Sequence, residues 1–185
     1  TLLWPLIDEA KVKGSVVELS FTGADFGYDK GIGHFYGRSL TVEQARDLDV
    51  LLVYEMNGQP LLPQHGSPLR LIVPGWYGMA SVKWLKEIRA LSEPYKGFQQ
   101  VQTYRYRNSV EDVGHPITEI LVKSLIVPPG VPDFVTRDRC LRAGRARIEG
   151  RAWSGAGKDI SEVEFGINGK WGKARILGKV GKYAW

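Results

Sequence analysis

Two Asn-Gly pairs, Asn57-Gly58 and Asn168-Gly169, constrain this chain more than any other feature. Both central residues of a type I′ hairpin turn need a positive φ, which Asn and Gly tolerate. The first pair follows Val50 to Tyr54, a nearly continuous apolar run that reads as a strand buried on both faces. The second follows Glu162 to Ile167, where Val163, Phe165 and Ile167 alternate with Glu162 and Glu164. With 22 Gly and 10 Pro in 185 residues, turns recur along the whole chain, and no internal repeat or low-complexity tract interrupts them.

Around these hairpins the other elements fall into place. Trp4 to Lys13 reads as a helix, with Pro5 in its first turn and Gly14 as its stop. Val16 to Phe21 reads as a strand with Val17, Leu19 and Phe21 on one face, ended by a turn at Thr22-Gly23-Ala24-Asp25. Thr41 and Gln44 have the spacing of a capping box and open a short helix to about Arg46. Leu69 to Val73 is a further strand, broken by Pro74-Gly75. The segment from 111 to 140, with four prolines, reads as a connector that includes a strand at Ile120 to Val127. Beyond it the pattern is β alone, with Arg147 to Trp153 and Glu162 to Ile167 alternating.

Composition narrows the class. Hydrophobic residues at 43% and charged residues at 24% fit a globular chain, not a disordered one. No stretch approaches the ~20 consecutive apolar residues of a bilayer span. The start, Thr1-Leu2-Leu3-Trp4-Pro5, has neither an initiator Met nor the pattern of a signal peptide. One cysteine, Cys140, excludes an internal disulfide and a cysteine zinc cluster, and the three histidines are far apart in sequence. A net charge of +5 slightly favours anionic partners without choosing among them.

Read from the residues alone, His65, Arg70 and Lys83 are three potential cations separated by strand and loop, with the Gly-rich loop 75–78 between them. Strand ends and glycine loops can converge on one sheet edge and there suit a phosphate. The bland alternatives are a solvated turn histidine, two exposed cations, and an Asp25 that bonds its own backbone in a turn. Cys140, beside Arg139 and Arg142, has no histidine near it in sequence and reads as incidental.

A longer pattern is more specific. Val50-Leu51-Leu52-Val53-Tyr54-Glu55-Met56-Asn57-Gly58-Gln59-Pro60-Leu61, then His65-Gly66, Pro68-Leu69-Arg70, Val73-Pro74-Gly75 and Val82-Lys83-Trp84-Leu85, resembles the sulfite oxidase family of molybdopterin enzymes. Gly150, Ala152-Trp153-Ser154-Gly155 and Gly157, followed by Val163-Glu164 and Trp171, resemble the start of that family's dimerisation domain. The implied fold is α+β. Residues 1–115 would be the C-terminal part of a mixed α/β molybdopterin-binding domain. Residues 116–185 would begin an immunoglobulin-like β-sandwich, and that stretch is shorter than the ~100 residues such a domain needs.

The resemblance implies an oxidoreductase that carries out two-electron oxygen-atom transfer at a molybdenum–pyranopterin (Mo-molybdopterin) centre. It matches Asp25, His65, Arg70, Ser81, Val82 and Lys83 to cofactor-binding positions. It implies a catalytic tyrosine, here Tyr104 in preference to Tyr106. Arg105 or Arg107 would attract an anionic substrate. The expected partners are a small oxyanion or sulfur-compound substrate, a haem protein or other electron acceptor, and a second copy of the chain in a homodimer. No metal ligand is assigned, because the family's molybdenum-binding cysteine falls upstream of residue 1 and Cys140 does not match it. The chain is therefore expected to be a fragment of a longer enzyme whose complete form carries the activity. The alternative is a non-catalytic binding or dimerisation remnant. Nucleic acid, suggested only by the charge and the Tyr104–Arg107 run, is not expected, since no nucleic-acid-binding motif accompanies them. The compartment is not readable.

Overall fold

The computed structural model describes residues 1–155, 158–179 and 181–183, so Gly157 of the second motif lies outside the described residues. The chain divides into two compact units, Thr1–Glu119 and Ile120–Trp185.

The first unit opens with α1 (Trp4–Glu9), which has Pro5 in its first turn. The helix is shorter than the sequence pattern suggests. Ile7 is its one buried residue, and Lys11 turns the chain with a φ of 53°. A helix this short is held by packing, and beyond Ile7 only Asp8 and Glu9 remain to offer.

β1 (Glu18–Asp29) and β2 (Ile32–Thr41) form an antiparallel hairpin, turned by Lys30 and Gly31 at φ values of 50° and 78°. The turn expected at 22–25 is instead a bulge. β1 continues through it with a register shift between Thr22 and Phe26, and the Ala24 N–H donates to the Trp84 carbonyl at 2.8 Å. A glycine within a strand pattern marks such an irregularity as readily as a turn. Leu19 and Phe21 are buried as expected, but Val17 is exposed.

α2 (Val42–Asp47) begins at the capping box read from the sequence. The Gln44 N–H donates to Thr41 Oγ1 at 3.2 Å, and the Thr41 N–H donates to Gln44 Oε1 at 2.9 Å. Thr41→Ala removes one half of this exchange and is expected to cost about 1 kcal/mol. The check is the urea midpoint, and an unchanged midpoint would show the cap to be idle.

Five strands follow: β3 (Leu51–Val53), β4 (Glu55–Met56), β5 (Gln59–Pro60), β6 (Arg70–Ile72) and β7 (Leu85–Leu91). β4 and β5 close around Asn57 and Gly58, at φ values of 54° and 74°. β3 pairs with β6, and β7 joins the first hairpin to give a sheet ordered β2-β1-β7. The run at 50–54 is buried on one face only. Val50 and Leu52 are inside, Leu51 and Val53 are half-buried, and Tyr54 is 54% exposed. A π-helical turn at Gln99–Thr103 then leads to the short ladder of β8 (Arg105–Tyr106) and β9 (His115–Pro116). The core gathers Leu3 just before α1, Ile7 from α1, Leu19 and Phe21 from β1, Leu40 from β2, and Leu71, Val73, Trp76 and Val82 from the later segments.

In the second unit β10 (Lys123–Val127) pairs antiparallel with β11 (Glu149–Trp153). β12 (Glu164–Ile167) pairs with β13 (Lys170–Lys173) across Asn168 and Gly169, whose φ values are 49° and 77°. All its regular elements among the described residues are strands, as the alternation predicts. The architecture is thus a set of small sheets with two short α-helices. No helix among the described residues is long and apolar enough to cross a membrane.

Candidate functional site

Three stretches meet around a single turn. Pro63 to His65 forms a 3-10 turn that ends in Gly66, whose φ is 104°. Within the turn the Pro63 carbonyl accepts the Gly66 N–H at 3.0 Å, and the other carbonyls need partners from outside it. Residues 70 and 83–84 supply the donors. Trp84 Nε1 donates to the Pro63 carbonyl at 2.9 Å and Lys83 Nζ to the Gln64 carbonyl at 2.7 Å. Arg70 Nη1 donates to the His65 carbonyl at 3.2 Å, and the Trp84 N–H to the Gly66 carbonyl at 3.2 Å. Every carbonyl from 63 to 66 is therefore taken by the two segments that bear Arg70 and Lys83. The close approach depends on Gly66, since a Cβ there would lie 2.9 Å from Lys83 Cβ.

Asp25 reaches the same segment from the β1 bulge. A Cβ on Gly23 would collide with Asp25 Oδ1 and lie 2.7 Å from the Lys83 carbonyl. Glycine at 23 lets the carboxylate fold back over its own strand toward residues 82–83. Asp25 Oδ1 is buried there without a hydrogen-bond partner. Arg70 Nε is in the same condition, and burial holds the Arg70 guanidinium below the usual arginine pKa. Buried polar atoms are normally satisfied, so an unpartnered acceptor and an unpartnered donor around one turn call for a ligand. Arg70 and Lys83 each keep further N–H groups beyond the bond that fixes them.

Ser81 and Val82 play a different part within this cluster. Ser81 Oγ accepts the Val73 N–H at 3.2 Å. The Val82 side chain is fully buried in the core, and its carbonyl accepts the Leu71 N–H at 2.9 Å. Any contact Val82 makes with a bound molecule would run through its main chain.

Tyr104 lies in a second group. It ends the π-helical turn, and its ring centroid is 5.8 Å from Arg38 Cζ. Tyr36 links the two groups. Its hydroxyl donates to the Met79 carbonyl at 2.6 Å, just before Ser81, and its phenol feels the charges of both Arg38 and Asp25. Burial pushes the Tyr36 phenol far above its ordinary value and raises that of Tyr95, which also faces Arg38.

The other arginines expected to draw in a substrate are engaged elsewhere. Arg105 donates to the Val113, Gly114 and Gln100 carbonyls, and Arg107 donates to the Gln102 carbonyl. Both tie down their own loop. Tyr106 is 38% exposed and bonded to Tyr77. Cys140 is exposed in the second unit, and no group of three His, Cys, Asp or Glu side chains among the described residues could hold a metal ion.

Arg38, Tyr36 and Tyr95 were not found from the sequence. The available signal was the period-two placement of Tyr36, Arg38 and Leu40, which puts a cation in phase with a core leucine.

Residues 1–99 match the family described as the oxidoreductase molybdopterin binding domain. Mitochondrial sulfite oxidase of Mus musculus is 35% identical over 158 residues, covering 80% of this chain and 28% of that protein. Nitrate reductase [NADH] 1 of Oryza sativa subsp. japonica is 32% identical over 171 residues, covering 85% of this chain and 19% of the relative. The crystal structure of the sulfane dehydrogenase SoxCD from Paracoccus pantotrophus superposes with a TM-score of 0.76 at 31% identity, covering 97% of this chain and 43% of that one. The chain thus spans less than half the length of each of these relatives. The family's cofactor is Mo-molybdopterin, and the site suits its organic part: an open carboxylate oxygen for amino-pyrimidine N–H groups, and two cations for a phosphate. With residues 1–99, more than half of its length, matching that family, the chain belongs to the sulfite oxidase family of molybdopterin-binding oxidoreductases.

Proposed function

We propose that this chain holds the pterin and phosphate of Mo-molybdopterin in a sulfite oxidase-like enzyme acting on a small oxyanion or sulfur compound. The supporting observation is the buried, unpartnered Asp25 Oδ1 beside residues 82–83, next to the turn that Arg70 and Lys83 bracket.

Each residue then has a task set by its chemistry. The Asp25 carboxylate accepts hydrogen bonds from an amino-pyrimidine edge. Arg70 and Lys83 neutralise a phosphate, Arg70 by its fork and Lys83 as a point charge. Both are held in place by their bonds to the turn carbonyls, so little ordering is left for the moment of binding. The His65 ring and the main chain at Ser81 and Val82 complete the contact strip. Tyr104 stands on the reaction side, next to Arg38. When bound, the cofactor supplies the two-electron redox chemistry and the exchange of an oxygen atom. The electrons leave to a haem protein or another acceptor. The second unit begins an immunoglobulin-like domain through which two copies pair.

Molybdenum and pterin analysis of the full-length protein, purified from a host that makes the cofactor, tests this reading. Arg70→Ala loses a charged hydrogen-bonding group worth ~1.5–3 kcal/mol, roughly tenfold or more in cofactor retention. Full-length protein free of metal and pterin would end the reading, and equal cofactor content in Arg70→Ala and the parent would remove Arg70 from the site.

A further inference from the structure

Arg38 is an anomaly of burial. It lies in β2 opposite Phe21 of β1 and is 2% exposed. Its Nη1 donates to the Gln99 carbonyl and its Nη2 to the Ile117 carbonyl, each at 3.2 Å, while its Nε is buried without a partner. No carboxylate among the described residues forms an ion pair with it. Two carbonyl dipoles satisfy N–H groups but leave the whole positive charge standing, and a buried charge without a counter-ion is costly. For packing alone, an apolar side chain of similar volume would serve better.

The groups around that charge are phenols. The Tyr104 ring centroid is 5.8 Å from Arg38 Cζ. The Tyr95 hydroxyl is packed so closely on the neighbouring Gly37 that a Cβ at 37 would collide with it. Tyr36, two residues along β2, is bonded to Met79 and feels both Arg38 and Asp25. The guanidinium is therefore fastened to the segment that carries Tyr104 and acts on Tyr36, which is bonded to Met79 ahead of residues 81–83.

We propose that Arg38 is a positioning residue for the reaction: it clamps the segment from Gln99 to Ile117, which carries Tyr104, onto β2, and its uncompensated charge acts on the phenols of Tyr36 and Tyr95 beside the cofactor cluster. A neighbouring cation favours the ionised form of a phenol, whereas burial disfavours it. Arg38 opposes the desolvation of Tyr36 and Tyr95 in this way, and it is the group of that sign acting on both. The link to the reaction rests on the cofactor reading above, but the electrostatic part can be measured without it.

The experiment is an ultraviolet titration of tyrosine ionisation in the full-length protein and its Arg38→Met variant. The two possible roles move the titration in opposite directions. If the charge tunes the phenols, removing it leaves desolvation unopposed, and the Tyr95 phenol, read by difference against a Tyr95→Phe variant, shifts further up. If Arg38 serves only as a clamp, its loss frees the 99–117 segment, exposes the tyrosines and shifts them down toward 10. A downward shift, or none, overturns the proposal. Should Arg38→Met not fold, Arg38→Gln is read in the same way, since its neutral amide keeps a donor for one carbonyl. Molybdenum and pterin content measured on the same preparations reports separately on the cofactor reading, and their absence would leave the titration result standing.

Discussion

Phe21→Ala is expected to destabilise the first unit by about 3–5 kcal/mol, the usual cost of emptying an aromatic site in a packed core. Phe21 is fully buried in the central strand of the β2-β1-β7 sheet, where it pairs with Arg38 on one side and Ile88 on the other. Its ring shares the core with Leu19, Leu40 and Val82. Leu19 and Leu40 are held in the β1–β2 ladder and Val82 by the bond its carbonyl accepts from Leu71, so they cannot close over the void, and the cavity term stays with the transfer term. Against a typical domain stability of about 5–15 kcal/mol, this is a large fraction. Urea unfolding should show a lower midpoint with an unchanged slope. A loss under about 1 kcal/mol would mean that the sheet relaxes around the hole and that Phe21 is not a central element of the core.

The same residue marks how far local pattern reaches in this chain. Leu19 and Phe21 could be placed on a buried face from alternation alone, because period two is a property of any strand. The continuation of β1 could not. Thr22-Gly23-Ala24-Asp25 carries turn chemistry, and what keeps it extended is a bond from Ala24 to Trp84, sixty residues away in sequence. β2 is interrupted by Gly33 and Gly37, and β7 carries Lys86, Glu87 and Arg89, so neither announces itself as a strand. Each exists because β1 offers it a partner. The local devices, by contrast, are where they were read: the Thr41–Gln44 cap and the two Asn-Gly turns depend only on neighbours within a few residues.

The site divides along the same line. Asp25, His65, Arg70 and Lys83 were legible as a family pattern; the structure brings His65, Arg70 and Lys83 to one turn and sets Asp25 beside residues 82–83. Arg38 was not, because a lone arginine in a strand reads as a solvated face. Its burial is made by the carbonyls of Gln99 and Ile117, which no spacing rule connects to residue 38. Arg105 and Arg107 show the limit from the other side: their sequence gives no sign of the local carbonyls to which they donate.

Gly66→Val should damage stability and the proposed cofactor site together. At a φ of 104° a β-branched residue is strained by about 1–3 kcal/mol. Its Cβ would also lie 2.9 Å from Lys83 Cβ and 3.0 Å from Lys83 Cα. The neighbour here is main chain and the root of a side chain, so it cannot swing aside, and overpacking of this kind adds about 1–3 kcal/mol. The strain is relieved only if the 63–66 turn moves away from residues 82–84. That movement stretches the bonds from Lys83 to Gln64 and from Trp84 to Pro63 and Gly66 at once. A total loss of about 2–6 kcal/mol follows from the two contributions. Thermal melting measures it, and molybdenum content per folded chain measures the displacement of Lys83. Gly66→Ala, with one carbon and the same φ, should fall between the parent and the valine variant on both scales. If the valine variant melted with the parent, the contact between the turn and Lys83 would not be a tight one, and the proposed role of Lys83 at a cofactor phosphate would have to be given up with it.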